Sequence, residues 1–347
     1  MPKTIFVVDD NDTNLAVAEN ALEAYYRVIT LPSAAKMFAF LEKVVPDLIL
    51  LDIEMPEMGG FEALQHLKTN HQYEDIPVIF LTILTDPNIE ARGFELGAVD
   101  FITKPFATAV LRNRIKTHLH IDRMIRERTE RLKRLQDGII HVFADIVENR
   151  DHETGGHIER TAVYIRTLIA AMMKREVYAD EIRGWNLDLV VSSARLHDVG
   201  KIAISDQILN KPGQLTEEEF ATMKTHAAVG ERIIDQMIAR TGEADFLHNA
   251  KLFAGYHHER WDGTGYPNGL KGTEIPLQGR IMAIVDVYDA LVSERPYKKA
   301  ITSDQAINII MAESGTHFDE KIAEVFFAIR EQLQAPVSCP TIGLAPG

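Results

Sequence analysis

The sequence predicts a multidomain chain: an N-terminal α/β domain on a doubly wound parallel sheet, a long helix, and a C-terminal all-α domain. Three observations carry that expectation. Up to about residue 120, short β-branched apolar runs that stop at polar residues alternate with helical patterns, as in parallel sheets covered on both faces. Ala107 to Ile140 contains no proline and reads as one helix. Beyond it the strand alternation ceases and amphipathic helical runs follow one another.

The length of 347 residues allows two domains or three small ones, and a hydrophobic fraction of 46% supplies an ordinary core. The formal net charge of −14 argues against nucleic acid and anionic membrane as bulk partners, since both need basic surface. An anionic ligand would need a local basic site. Cys339 is the single cysteine, so no disulfide framework forms within one chain. The first ten residues carry no signal-peptide pattern, and no run approaches the roughly 18 apolar residues of a membrane span. The expectation is a soluble, cytoplasmic protein.

In the first part, Thr4 to Val8 stops at Asp9-Asp10, Pro46 to Leu51 at Asp52, Pro77 to Leu81 at Thr82, and Val99 to Thr103 at Lys104-Pro105. Helical patterns fill Thr13 to Ala24, Ser33 to Val44, Gly60 to Thr69 and Asn88 to Leu96. In parallel sheets the ligand crevice lies at the carboxyl ends of the strands, which is where these polar residues fall. Asp9, Asp10 and Asp52 would repel one another unless a hard cation such as Mg²⁺ joined them. Thr82 and Lys104 suit a phosphoryl group.

These residues, with Met55-Pro56-Glu57-Met58-Gly59-Gly60 after Asp52, resemble the response-regulator receiver domain. The resemblance implies a flavodoxin-like five-stranded sheet and a cognate sensor histidine kinase as partner. It makes Asp52 the phospho-acceptor, with Asp9 and Asp10 holding Mg²⁺ and Thr82 and Lys104 binding phosphoryl oxygens. Phe101 takes the aromatic switch position, and a cis peptide is expected before Pro105.

In the connector, Ile121, Ile125, Leu132, Leu135 and Ile139 recur at four- and three-residue steps, with Arg128 the one polar interruption. That is a coiled-coil seam, pointing to a homodimer through residues 121–140. The plainer reading is a solvated linker helix packed on its own domain. The dense Arg and Lys of the other faces read as solvated surface.

The last part reads as helices over Ile139 to Asn149, His157 to Lys174, Trp185 to His197, Thr216 to Ala239, Phe246 to Tyr256, Leu277 to Ser293, Ser303 to Ala312 and Asp319 to Leu333. Thr216 with Glu219 forms a capping box. Along these runs stand Glu153 and His157, which share a helix face if the helix begins early enough, then His197-Asp198, Lys201, His226, His257-His258 and Asp286. Asp286 lies in the apolar run Arg280 to Val287, where a bare buried carboxylate is costly and needs a cation. Five His, two Asp and one Glu exceed the four to six ligands of one ion and suggest two or three. Imidazole and carboxylate suit Fe, Mn, Zn, Ni or Co.

His197-Asp198-Val-Gly-Lys201, His257-His258-Glu-Arg-Trp-Asp-Gly-Thr-Gly-Tyr266-Pro267 and Asp286-Val-Tyr-Asp289-Ala-Leu resemble the HD-GYP subgroup of the HD phosphohydrolases, over about residues 145 to 333. The resemblance implies metal-dependent hydrolysis of cyclic di-GMP to pGpG or GMP. It makes His157, His197, Asp198, His226, His257, His258 and Asp286 ligands of two or three divalent transition metals, Fe or Mn foremost, with Asp198 bridging. Glu153 matches the extra carboxylate of members with a third ion. Asp198 and Lys201 become catalytic, Lys201 by stabilising developing negative charge or by holding the metal shell. Tyr266, Pro267, Arg295 and Lys298 become substrate contacts. The last helix starts Phe318-Asp319-Glu320 where the family often has Phe-Asp-Pro, and Asp319 can still cap it.

The expected organisation is a receiver domain over residues 1–120, a helical linker over 121–140, an HD-GYP domain over 141–333 and a disordered tail over 334–347. The function expected is a response regulator whose output is a cyclic di-GMP phosphodiesterase controlled through Asp52, with a diguanylate cyclase or adaptor as a further partner. Two alternatives stand beside it: an adaptor that binds cyclic di-GMP or a protein with little chemistry, and a hydrolase of pGpG or another cyclic dinucleotide.

Overall fold

The structure, a computed structural model, describes residues 2–83, 87–150, 156–242, 245–294 and 299–333. The chain forms two compact units, Met1–Lys133 and Arg134–Gly347.

The first unit alternates β1 (Thr4–Val8), α1 (Asp12–Leu22), β2 (Arg27–Leu31), α2 (Ala34–Leu41), β3 (Leu48–Asp52), α3 (Gly60–Thr69), β4 (Val78–Thr82), α4 (Pro87–Glu95) and β5 (Asp100–Thr103). The five strands are parallel in the order β2-β1-β3-β4-β5. β3 and β4 are buried along their whole length, as central strands with helices on both faces must be, and so they read as unbroken apolar runs. β2 and β5 are the edge strands; β2 is largely half-exposed, and its Arg and Thr break the apolar signal that marks the other four. Strand order reverses between β1 and β3, so the ends carrying Asp9 and Asp52 flank the crevice where such sheets bind ligands. The side chain of Asn11 caps α1, accepting from the amides of Thr13 and Asn14.

α5 (Thr108–Asn149) is one 42-residue helix, about 63 Å long at 1.5 Å per residue. Leu111 and Ile115 are fully buried in the first unit's core, and Ile140, Ala144 and Val147 are buried in the second unit. Along another face Ile121, Ile125, Leu132, Leu135, Ile139, Val142 and Ile146 are exposed, each by 45–66%. The four-three spacing thus runs past residue 140.

The rest of the second unit is helical: α6 (His157–Lys174), α7 (Ala179–Ile182), α8 (Leu187–Ser193), α9 (Asp206–Leu209), α10 (Glu217–Thr241), α11 (Asp245–Tyr256), α12 (Leu277–Val292), α13 (Ser303–Ala312), α14 (Glu320–Ala328) and α15 (Arg330–Leu333). Short 3₁₀ turns cover Ala194–Leu196, Val199–Ala203 and Gly272–Glu274. The capping box of Thr216 and Glu219 opens α10, and Asp319 caps α14. α12 is buried on nearly every side and packs with Leu168, Phe318 and Phe326 into the main core. Among the described residues no helix is long and apolar enough to cross a membrane. The reading of residues 334–347 as a tail falls outside the described residues.

Candidate functional site

In the first unit the strand ends bring Asp9, Asp10 and Asp52 together as a group able to hold a cation. The ammonium of Lys104 lies 2.6 Å from Asp9 Oδ2 and 2.8 Å from Asp52 Oδ1. Burial raises the Asp52 carboxyl, Lys104 opposes that shift, and nearby Asp9 adds to it. Thr82, at the end of β4, is buried. Phe101 is buried against Phe80 and Phe94. The Lys104–Pro105 peptide is cis.

In the second unit, His157 starts α6, His197 and Asp198 sit between two 3₁₀ turns, His226 lies on α10, and His257-His258 follow α11. Their ligand atoms fall into two groups: His157, His197 and Asp198, and Asp198, His226, His257 and His258. Asp198 belongs to both. Its Oδ2 lies 3.4 Å from His197 Nε2, whereas Oδ1 lies 3.4 Å from His226 Nε2 and 3.6 Å from His257 Nε2. One carboxylate thus turns one oxygen to each group. Asp286 joins from α12, its Oδ1 3.7 Å from His157 Nε2.

The ring orientations are fixed from behind. His197 Nδ1 donates to Ala194 O (3.0 Å), His226 Nδ1 to Met223 O (2.7 Å) and His257 Nδ1 to Phe253 O (2.9 Å). His157 Nδ1 donates to Asp289 Oδ2 at 2.8 Å. Carbonyls and carboxylates only accept, so each Nδ1 carries a proton, and in its neutral form each ring presents an Nε2 lone pair to the cluster. His157 Nε2 then faces His197 Nε2 at 3.4 Å, and His226 Nε2 faces His257 Nε2 at 3.4 Å. Two lone pairs facing at that distance repel unless a cation lies between them. Protonation is a poor substitute: burial pushes the His226 imidazole down to about 4, and burial with nearby His257 and His226 holds His258 well below its usual range. Burial would raise the Asp198 carboxyl, but the Lys201 ammonium leads the groups that outweigh it, and Asp198 stays well below the ordinary carboxylate range. Neutral imidazoles around one ionised carboxylate are the donor set that a divalent transition metal takes.

Lys201 Nζ lies 2.9 Å from Asp198 Oδ2. Asp289 is the residue that the sequence leaves undecided. It is 1% exposed, whereas the side chain of Asp286 is 22% exposed. The buried carboxylate of α12 is therefore Asp289, and Asp286 opens toward the site. Asp289 is satisfied by His157 and by Arg160, whose Nε and Nη2 donate at 2.7 and 3.0 Å. Such carboxylate–imidazole pairs orient metal ligands. Asp289→Ala is expected to weaken metal binding about 10–100-fold, measured by competition against a chelator.

Glu148 on α5 accepts from the amide of His157 at 3.1 Å, tying the end of the long helix to the start of α6. α6 begins at His157, after Gly156 at φ +95°, and the helical face expected to join residue 153 to His157 falls outside the described residues. Glu153, Arg295 and Lys298 lie outside the described residues.

The loop after His258 is held from inside by Glu259. This 1%-exposed carboxylate accepts from the amides of Asn268 (2.7 Å) and Leu270 (3.0 Å). A Cβ on Gly265 would stand 2.2 Å from Arg260 N, so only glycine lets the loop close on itself. The loop's product is the ring of Tyr266, stacked on His258 with centroids 4.7 Å apart at 27°, and the Tyr266–Pro267 peptide is cis.

Comparison with known proteins agrees with both halves. A family model described as "Response regulator receiver domain" matches residues 5–116, and one described as "HD domain" matches residues 141–322. The "Probable cyclic di-GMP phosphodiesterase" of Vibrio cholerae is 40% identical over 344 residues, covering 95% of this chain and 78% of that protein. The "Cyclic di-GMP phosphodiesterase response regulator RpfG" of Xanthomonas campestris pv. campestris is 36% identical over 295 residues, covering 83% and 76%. The "3'3'-cGAMP-specific phosphodiesterase 2" of Vibrio cholerae is 40% identical over 209 residues, 58% of this chain and 38% of that protein. With a carboxylate crevice in the first unit and two metal-ready groups sharing Asp198 in the second, the chain belongs to the response regulators that join a receiver domain to an HD domain of the HD-GYP type, the cyclic di-GMP phosphodiesterase family.

Proposed function

We propose that the chain is a response regulator that hydrolyses the phosphodiester bonds of cyclic di-GMP at a paired metal centre, under control of Asp52 phosphorylation by a sensor histidine kinase. The observation that carries the reading is Asp198, whose two oxygens face two separate sets of imidazole nitrogens. In this proposal His157, His197, Asp198 and Asp286 hold one ion, and Asp198, His226, His257 and His258 hold the other. Glu153 is assigned to a third. Fe or Mn is the preferred metal, with Zn, Ni and Co as alternatives, and Mg²⁺ is assigned to Asp9, Asp10 and Asp52. Paired ions of this kind lower the pKa of bound water and polarise phosphoryl oxygens.

The chain's own groups supply the rest. Hydrolysis replaces one P–O ester bond with a bond to the oxygen of water, and the departing sugar oxygen takes up a proton. Lys201 is assigned to the negative charge that develops on the phosphoryl oxygens. Tyr266 and Pro267 bound the ligand side, and Arg295 and Lys298 are assigned to the substrate's charge. The exposed four-three stripe of α5 supports a homodimer paired through that helix, because seven apolar side chains in coiled-coil spacing are otherwise left in water.

The test incubates metal-reconstituted protein with cyclic di-GMP and follows products by chromatography. Conversion to pGpG or GMP that stops on chelation is expected; binding without turnover in Fe(II) or Mn(II) would defeat the enzyme reading in favour of an adaptor. A second substrate reading is favoured by the cGAMP-specific relative, so 3'3'-cGAMP and pGpG run in parallel, and faster turnover of either reassigns the substrate.

A further inference from the structure

In the proposed function the paired metal positions act on one phosphodiester at a time. A cyclic dinucleotide carries two phosphates and two bases on one ring, so the second nucleotide must lie outside the cluster. Tyr266, whose ring stacks on His258, borders the cluster. Lys224, on α10 one half-turn before His226, has its ammonium 5.8 Å from the centroid of the Tyr266 ring. The same ammonium stands 5.0 Å from the centroid of Phe220, which lies one turn back along α10 and is 49% exposed. Among the described residues, no carboxylate forms an ion pair with Lys224. A cation held between two rings, without an acidic partner in a chain of net charge −14, remains free to take a phosphate. An exposed ring one turn away offers a stacking face, and base–aromatic stacking tolerates any base.

We infer that Lys224 and Phe220 form a subsite for the second nucleotide of the substrate, Lys224 taking its phosphate and Phe220 its base. The inference rests on the proposed cyclic dinucleotide substrate and adds to it two residues on α10, outside the loop of Tyr266.

The experiment uses the full-length, metal-loaded chain with Lys224→Ala, Lys224→Arg and Phe220→Ala. It measures Kd and KM for cyclic di-GMP, and kinetics on bis(p-nitrophenyl) phosphate, a diester with one phosphate and no second nucleotide. Lys224→Ala is expected to weaken cyclic di-GMP binding about tenfold, with a smaller salt dependence than wild type. The loss on cyclic di-GMP should exceed the loss on the small diester by a similar factor. Lys224→Arg should recover most of the affinity, and Phe220→Ala should show the same preference for loss on the dinucleotide. Unchanged Kd and KM in Lys224→Ala would overturn the subsite. So would equal losses on both substrates, which would assign Lys224 to the packing of His226. Wild-type protein that cleaves the small diester but neither binds nor cleaves cyclic di-GMP would overturn the substrate reading itself, and the subsite with it.

Discussion

Asp198→Ala is expected to lower turnover of cyclic di-GMP by at least about 10³-fold, beyond the 10–100-fold typical of partners that only orient a ligand. The reason is its place between the two donor groups. Removing any one imidazole takes a nitrogen from one group. Removing Asp198 takes the shared anion from both, and leaves the Nε2 atoms of His157 and His197, and those of His226 and His257, facing each other without that carboxylate beside them. It also leaves the Lys201 ammonium beside the same site without its 2.9 Å partner. The substituted chain should keep its helices, because the carboxylate is no part of the apolar core. Circular dichroism and turnover measured on the same preparation separate the two effects. Activity within tenfold of wild type would sink the assignment of Asp198 as the shared ligand.

Gly200→Ala is expected to destabilise the second unit by about 3 kcal/mol or more, at or above the upper end of ordinary overpacking. A Cβ at this position would lie 1.9 Å from the carbonyl oxygen of His226 and 2.6 Å from the amide nitrogen of Gly230. Both obstacles are backbone atoms of α10, so no rotamer change relieves the overlap. The 3₁₀ turn Val199–Ala203 and α10 must part, and that contact is what sets Asp198 against His226. A melting temperature lower by about 6–12 °C follows for a unit of this size, measured on metal-free protein so that lost metal binding does not add to the shift. Reconstituted Gly200→Ala should also bind metal more weakly. A substitution without thermal effect would show that the turn has room to move.

The parts of the molecule legible in the sequence are those where one residue type answers one physical demand. β1, β3 and β4 announce themselves as apolar runs that stop at Asp or Thr because central parallel strands are buried on both faces, and the edge strand β5 is marked by the run that stops at Lys104-Pro105. β2 gives no such run: it is an edge strand whose Arg27 and Thr30 face partly outward. The histidines and Asp198 stand out because imidazoles in family register have few other uses. Their supports do not stand out. Asp286 and Asp289 are three residues apart on one helix, and nothing in the local pattern says which is buried, since both neighbour apolar residues. Only the approach of Arg160 and His157 from α6 decides it. Glu259 reads as one charged residue in a polar loop, yet it is the internal acceptor that holds that loop closed. Gly200 reads as a turn glycine, and its role is set by a backbone carbonyl 26 residues further on. The coiled-coil spacing is visible to Ile139, and its continuation through Val142 and Ile146 is hidden because Phe143, Ala144 and Val147 on the same turns are also apolar and face inward.

The central claim is that one carboxylate serves two metal positions in the second unit. Metal analysis of the purified, reconstituted chain tests it most directly, with Mg²⁺ excluded from the count. The account predicts at least two transition-metal ions per chain, falling below two in Asp198→Ala. One ion per wild-type chain, or two that survive the loss of Asp198, would contradict it.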